Sequence, residues 1–472
     1  MNPYSTAYSD FEKYALRDRG QAPASPYNGA TAMSSGVAMS SAFGMRSAVA
    51  MSSAVAMSSA FGMSSGVAMS SGVLAEMTSE SSAAAWAMSS SATLREPAAA
   101  RVSSAYGSCS EAAESPDRPL RVIHVGPSMF RGGAEQWLAD LVRFLDRRRT
   151  QVLKAIVTVP HQVDPQMAAT LGVPVEVGQR EAVRQAAREC DVLLCWGLAL
   201  NEWLSDQRPP LCVFVAHGEG DWTTWLVENN NRVADHVVAV GESARQRACH
   251  ILPTTVIWNG VDSARLGHTR SRQDVRESLG FQADDFVLGY VGRFSPEKRP
   301  QVLIEAVAGL PRAFKLLMVG WGSQRTALLE QANARIPGRY AFVTAWEYLG
   351  DYYQAMDAVC LVSDQEGFPL VTMEAMLCGR PLIVTAVGCV PEIIRDRING
   401  VVVSGDPPSV SAAADLLRRH PDWARGLAEE GKRFADTHGH AVRMARDYER
   451  LLHRLWAEKH GPLNGAPCHH AV

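Results

Sequence analysis

From about residue 117 onward, apolar positions gather into short runs that end in glycine or a small polar residue, with amphipathic stretches between them. The first run, PLRVIHVG (119–126), is followed by RGGAEQWLADLVRFL, in which Leu138, Leu141, Val142 and Leu145 recur at helical spacing. That is a strand, a glycine loop and a helix, the opening of an α/β unit. Further runs predict strands at 154–159, 191–197, 211–218, 236–241 and 254–260. A second series begins at FVLGYVG (286–292) and continues at 314–320, 341–344, 357–363, 380–385 and 400–404. Helical segments such as PQVLIEAVAGL (300–310) and YYQAMD (352–357) separate most of them. Two consecutive alternating series predict two doubly wound α/β domains with mainly parallel sheets, joined near NGVD at 259–262. The expected boundaries are 117–260 and 261–437, with 438–472 as a terminal helix and a frayed tail. Ligands of such sheets bind at the carboxyl ends of the strands, so the two domains would face each other across a cleft.

The first quarter of the chain is different. Residues 20–116 hold only eight Asp, Glu, Lys or Arg and are mostly Ala, Ser, Met and Gly. Six hexads run from Val37 to Gly72, with methionine on one register and Val or Phe on another. A period of six fits neither an α-helix nor a half-buried strand. A left-handed β-helix uses such hexads, but six make about two coils, too few for stable stacking. Each apolar residue also stands alone among small ones, so little burial offsets the ordering entropy. Residues 1–116 are therefore read as a disordered low-complexity extension, with a short β-structured or self-associating segment as the alternative.

Charge and cysteine content narrow the setting. The 46 Lys+Arg nearly balance the 49 Asp+Glu, which argues against a nucleic-acid binder. No run approaches the roughly 18–20 apolar residues of a membrane span, and charges in the opening twenty residues argue against a secretory leader. Nine cysteines without a C-x-x-C pair suit a reducing compartment. The expectation is a soluble, cytoplasmic protein.

Four places just after strands are candidates for chemistry. Gly132 and Gly133 precede a helix N-terminus, where backbone can approach an anion; a plain tight turn is the alternative. Gly292, Arg293 and Lys298 lie in GYVGRFSPEKRP, where the two cations could straddle a diphosphate or simply be solvated. In EGFPLVTMEAM, Pro369 suits a first helical turn, and the amides of Gly367, Phe368 and Leu370 would then face a ligand. Glu366 and Glu374 there suggest hydroxyl recognition, or else a helix-dipole partner and a surface glutamate. His217 ends the run LCVFVAHG and is either a site residue or a satisfied structural histidine. No metal-ligand spacing, phosphate-binding loop, nucleophile elbow or D-x-D pair offers a competing chemistry.

Together GGAEQWLADLV, VIWNGVD, VGRFSPEKRPQVLIEA, MVGWG, EGFPLVTMEAM, GRPLIVTAVGCVPEII and NGVVV, in this order over residues 120–455, resemble glycosyltransferase family 4, retaining enzymes of the GT-B fold. The resemblance implies two Rossmann-like domains, a nucleotide-sugar donor held mainly by the second, and an acceptor held by the first. It implies that Arg293 and Lys298 hold and stabilise the diphosphate, with no metal or other cofactor needed. Glu366 and the amides of Gly367 to Leu370 would take sugar or phosphate, Glu374 the ribose hydroxyls, and His217 would sit near the sugar. Gly132 and Gly133 would face the phosphates or the acceptor, which could be a glycan, a polyprenyl-linked sugar or a small molecule. The implied catalytic set is Arg293, Lys298, Glu366 and His217.

Departures from the family pattern bear on donor base and acceptor rather than fold. The first domain is short, Cys195–Trp196 stand where relatives often carry histidine, Trp321 fills G-x-G, and Arg299–Pro300 follow Lys298 in place of glycine. A nucleotide-sugar epimerase of the same fold, a non-catalytic sugar-nucleotide or glycan-binding protein, and an assembly factor acting through the hexads are the alternatives. The run RFLDRRRT (143–150) reads as a solvated helix end, with weak contact to anionic lipid on the inner membrane face as the alternative.

Overall fold

The computed structural model describes residues 118–345, 348–461 and 463. The hexad repeat and the last residues of the tail lie outside the described residues.

Seven parallel strands form the first sheet, in the order β3-β2-β1-β4-β5-β6-β7. They are β1 (Leu120–Gly126), β2 (Thr150–Val157), β3 (Val175–Val177), β4 (Val192–Trp196), β5 (Leu211–Ala216), β6 (His236–Ala239) and β7 (Thr254–Val256). The second sheet has six parallel strands in the order β10-β9-β8-β11-β12-β13. These are β8 (Phe286–Arg293), β9 (Phe314–Trp321), β10 (Tyr340–Val343), β11 (Ala358–Leu361), β12 (Leu382–Val384) and β13 (Val401–Val402).

Central strands such as β5 and β11 are buried along their whole length. Parallel sheets covered by helices on both faces need apolar residues on both faces, so their strands are continuous apolar runs. Each sheet reverses strand order once, between β1 and β4 and between β8 and β11. Those two switch points are where such sheets open a crevice. Gly132 and His217 lie between β1 or β5 and the helix that follows it, and Gly133 opens the helix after β1. Arg293 ends β8 with Lys298 in the turn beyond, and Glu366 lies in the loop after β11.

The helix Ala441–His460 packs on Gly133–Phe144, the helix that follows β1. Tyr448 and Trp137, both fully buried, place their rings 5.6 Å apart in this contact. Glu449 pairs with Arg149 at 2.7 Å, and Lys459 with Asp235 at 2.7 Å. In RFLDRRRT, Arg143 pairs with Asp262 at 2.6 Å and Arg148 with Asp146 at 2.9 Å, so these arginines are engaged within the chain. Among the described residues, no helix is long and apolar enough to cross a membrane.

Candidate active site

In the second domain the site is built around a buried ion pair. Past Arg293 a short 3-10 turn, Pro296–Lys298, brings Lys298 back over the sheet. Its Nζ donates to Glu366 Oε2 at 2.6 Å, while Ser363 Oγ donates to Glu366 Oε1 at 2.7 Å. The side chain of Glu366 is 5% exposed and that of Lys298 22%. A carboxylate so enclosed is stable only while both oxygens are satisfied, and it fixes the ammonium above the β8–β11 switch point. Arg293 is different: its guanidinium is mostly exposed and touches Glu297 at 3.5 Å. The sequence joined Arg293 with Lys298, but the structure joins Lys298 with Glu366 and leaves Arg293 at the edge. Gly292, the next-to-last residue of β8, has φ +150, a conformation open to glycine.

Glu374 is buried, so it is not the surface glutamate that spacing alone allowed. Tyr353 Oη donates to its Oε2 at 2.7 Å and Arg265 Nη2 to its Oε1 at 3.0 Å. Burial, with Glu374 beside it, pushes the Tyr353 hydroxyl well up. Arg265 also reaches Asp140 Oδ2, 3.4 Å away on the helix after β1, and so links the two domains. Burial pushes Asp140 up to about 6, with Arg265 opposing the rise.

The helix Leu370–Leu377 begins one residue later than the proline rule suggested: Pro369 is its N-cap. Phe368 and Leu370 are buried, and the Phe368 ring lies 6.3 Å from that of Trp258. Only their backbone is left to meet a ligand. A Cβ on Gly367 would lie 1.8 Å from the His217 carbonyl oxygen. Only glycine lets these two loops meet backbone to backbone. Beside that contact Glu219 Oε1 accepts the amide of Gly388 at 3.0 Å and that of Glu366 at 3.5 Å.

Around His217 the first-domain wall is built of uncharged rings. His217 stacks edge-on against Trp137 at 4.8 Å and against Trp196 at 5.5 Å. Burial pushes both His217 and His124 down to about 3, and for His124 the neighbouring His217 adds to the effect. Among the described residues, both nitrogens of His124, Nε2 of His217 and Nε1 of Trp196 are buried without a hydrogen-bond partner. Tilted ring faces offer them at most weak acceptors.

Gly132 is the N-cap of Gly133–Phe144. A Cβ there would meet Glu135 Oε2 at 2.5 Å, whereas one on Gly133 would meet nothing within 4 Å. Of the two glycines only the first would bring a Cβ against a neighbour, the end of the Glu135 side chain. Glu135, buried in the first helical turn, accepts from Ser128 Oγ at 2.6 Å. Burial pushes its carboxyl up, and Arg293 of the second domain is among the groups that oppose the rise.

Sequence reasoning passed over Glu135, Asp140, Glu219, Arg265 and Tyr353. A faint signal existed for two: Glu135 and Asp140 are acidic residues on the helix whose neighbours Trp137, Leu138 and Leu141 are core. Glu219 and Arg265 act across domain boundaries, and nothing local marks them.

Residues 271–422 match the family model described as glycosyl transferases group 1. Among curated proteins, the D-inositol 3-phosphate glycosyltransferase of Actinosynnema mirum is 35% identical over 212 residues, covering 42% of this chain and 50% of the relative. The enzyme of the same name from Xylanimonas cellulosilytica is 31% identical over 215 residues, covering 44% and 49%. The chain thus spans about half the length of the curated relatives it matches. Among solved structures, Anabaena HepE in complex with UDP-glucose aligns at TM-score 0.61 and 23% identity, covering 71% of this chain and 99% of that one. Sucrose-phosphate synthase from Thermosynechococcus elongatus aligns at TM-score 0.59 and 21% identity, covering 72% and 100%. These two likenesses establish the GT-B fold.

Proposed function

From the match of residues 271–422 to the model of glycosyl transferases group 1, we propose that the chain is a retaining glycosyltransferase. It moves a hexosyl group from a nucleoside-diphosphate sugar to a hydroxyl acceptor, without a metal. The observation that carries this reading is the buried Lys298–Glu366 pair over the β8–β11 switch point, with Arg293 at its rim.

In this reading Lys298 and Arg293 hold the diphosphate and stabilise the charge that develops as it leaves. Glu366 accepts donor-sugar hydroxyls, and the backbone of Gly367 to Leu370 lies against sugar or phosphate. Glu374 accepts the ribose hydroxyls, exchanging its bond to Arg265 for them. His217 stays neutral and packs against the sugar from the first-domain side. The acceptor enters between that wall and the Gly132–Gly133 turn. It attacks on the face the diphosphate leaves, and the departing phosphate takes its proton. The relatives' names make a small polyol phosphate the first acceptor to try, ahead of glycan or polyprenyl-linked acceptors.

The test is nucleoside diphosphate release by the full chain from a panel of UDP- and GDP-sugars with EDTA present, with and without inositol 3-phosphate. The proposal expects release from one donor, lost in Lys298→Ala and in Glu374→Ala. Release that persists in both variants would overturn the site, and release only with added divalent metal would overturn the metal-free mechanism.

A further inference from the structure

Glu219 stands outside everything assigned so far. It belongs to the first domain, in the loop after β5, yet its carboxylate ends on second-domain backbone, the amides of Gly388 and Glu366. Two residues before Glu219, the His217 carbonyl lies so close to Gly367 that no Cβ would fit between them. The anchoring bonds use Oε1 alone. Glu219 is half-buried and sits next to the residue whose own carboxylate carries Lys298. A carboxylate held at one oxygen by backbone amides is pre-organised, and its second oxygen can accept only from a donor such as a hydroxyl. Beside it, another anion is repelled.

We propose that Glu219 is a specificity residue for the donor sugar, reading a hydroxyl of a neutral hexose and excluding hexuronates. The inference rests on Glu366 lying in the sugar pocket, as argued above. It adds that the first domain contributes a reader to that pocket, in place only when the two domains are closed on each other. A neutral donor gains a hydrogen bond to an ion, and a uronate places its carboxylate against Glu219 with Glu366 close behind.

The experiment compares UDP-glucose with UDP-glucuronic acid, and GDP-mannose with GDP-mannuronic acid, on the full-length wild type, Glu219→Gln and Glu219→Ala. Nucleoside diphosphate release gives kcat and KM, and thermal melting shows whether each variant is folded. For Glu219→Ala, KM for the neutral donor rises by about tenfold or more with kcat little changed, the size expected for a hydrogen bond to a charged group. Glu219→Gln gives its one oxygen to the two backbone amides and turns an uncharged amide N–H to the sugar hydroxyl, which can accept it. Neutral-donor KM therefore rises less than in Glu219→Ala, while discrimination against the uronate falls at least roughly tenfold, as the loss of a like charge predicts. An unchanged uronate-to-hexose ratio and unchanged KM in both folded variants would overturn the proposal. So would a lower KM in Glu219→Ala, which would make the carboxylate a plug on the amides instead of a reader. A wild type that turns over no donor would instead sink the glycosyltransferase reading on which the proposal stands.

Discussion

The two sides of the cleft solve the burial of polar groups in opposite ways. On the second-domain side, charges are kept and paired: Lys298 with Glu366, and Arg265 with Glu374. On the first-domain side, burial holds His124 and His217 neutral among tryptophans, and several ring nitrogens go unpartnered. A wall of paired ions can exchange partners with a charged, hydroxylated ligand at little net cost in desolvation. A wall of neutral rings cannot, but it excludes water and so strengthens whatever electrostatics operate opposite it.

The sharpest way to break this contrast is to unpair one ion. Lys298→Met leaves Glu366 buried beside a methionine and should lower unfolding stability in urea by about 3 kcal/mol, the low end for breaking a buried pair because Lys298 is partly exposed. Adding Glu366→Leu should recover most of that stability with no return of activity. Recovery of neither would show that the pair is not the unit that matters.

The neutral wall has its own signature in acid. With the His124 pKa lowered to about 3, the folded state stays unprotonated while the unfolded state takes up a proton below its ordinary value of 6.5. Stability contributed by the neutral imidazole is therefore complete above pH 6.5 and is lost progressively as pH falls towards about 3. The slope is about 1.4 kcal/mol per pH unit for one such group. His124→Leu should flatten the acid limb measured by thermal melting from pH 7 to 4, and an unaltered limb would exclude His124 as its source.

Breaking the link between domains is a milder change. Arg265→Met removes one partner each from Asp140 and Glu374 and should cost about 2 kcal/mol. A double-mutant cycle with Asp140→Asn should show coupling, and strict additivity would mean that the 3.4 Å contact carries no weight. The smallest expected effect separates the two glycines. Gly133→Ala should change stability by less than about 0.5 kcal/mol, whereas Gly132→Ala should be worse because its methyl group meets the Glu135 carboxylate. Equal effects would contradict the geometry.

The fold was legible because strands buried on both faces announce themselves as unbroken apolar runs. The exception is β3, Val175–Val177, an edge strand three residues long with a half-exposed valine and a central glutamate. It presents neither an apolar run nor an alternation long enough to read. Candidate residues were legible where they follow strands, because topology places strand ends at the cleft. Their partners were not. Nothing near Glu374 in sequence indicates that Arg265, 109 residues earlier, would bind it, and Glu219 finds Gly388 across 169 residues. Spacing reports which side chains share a helix face, but ion pairing between domains is decided by how the finished sheets pack.

The helix Ala441–His460 has a consequence for how the molecule is made. Tyr448 completes the enclosure of Trp137, a residue on the first helix of the first domain. On the ribosome the helix that seals that domain emerges only after the whole of the second domain. The nascent first domain must wait with an apolar seam open until synthesis of the second is finished. A chain that stops short of the final helix would display that seam to chaperones and proteases, so a prematurely terminated product would mark itself for removal.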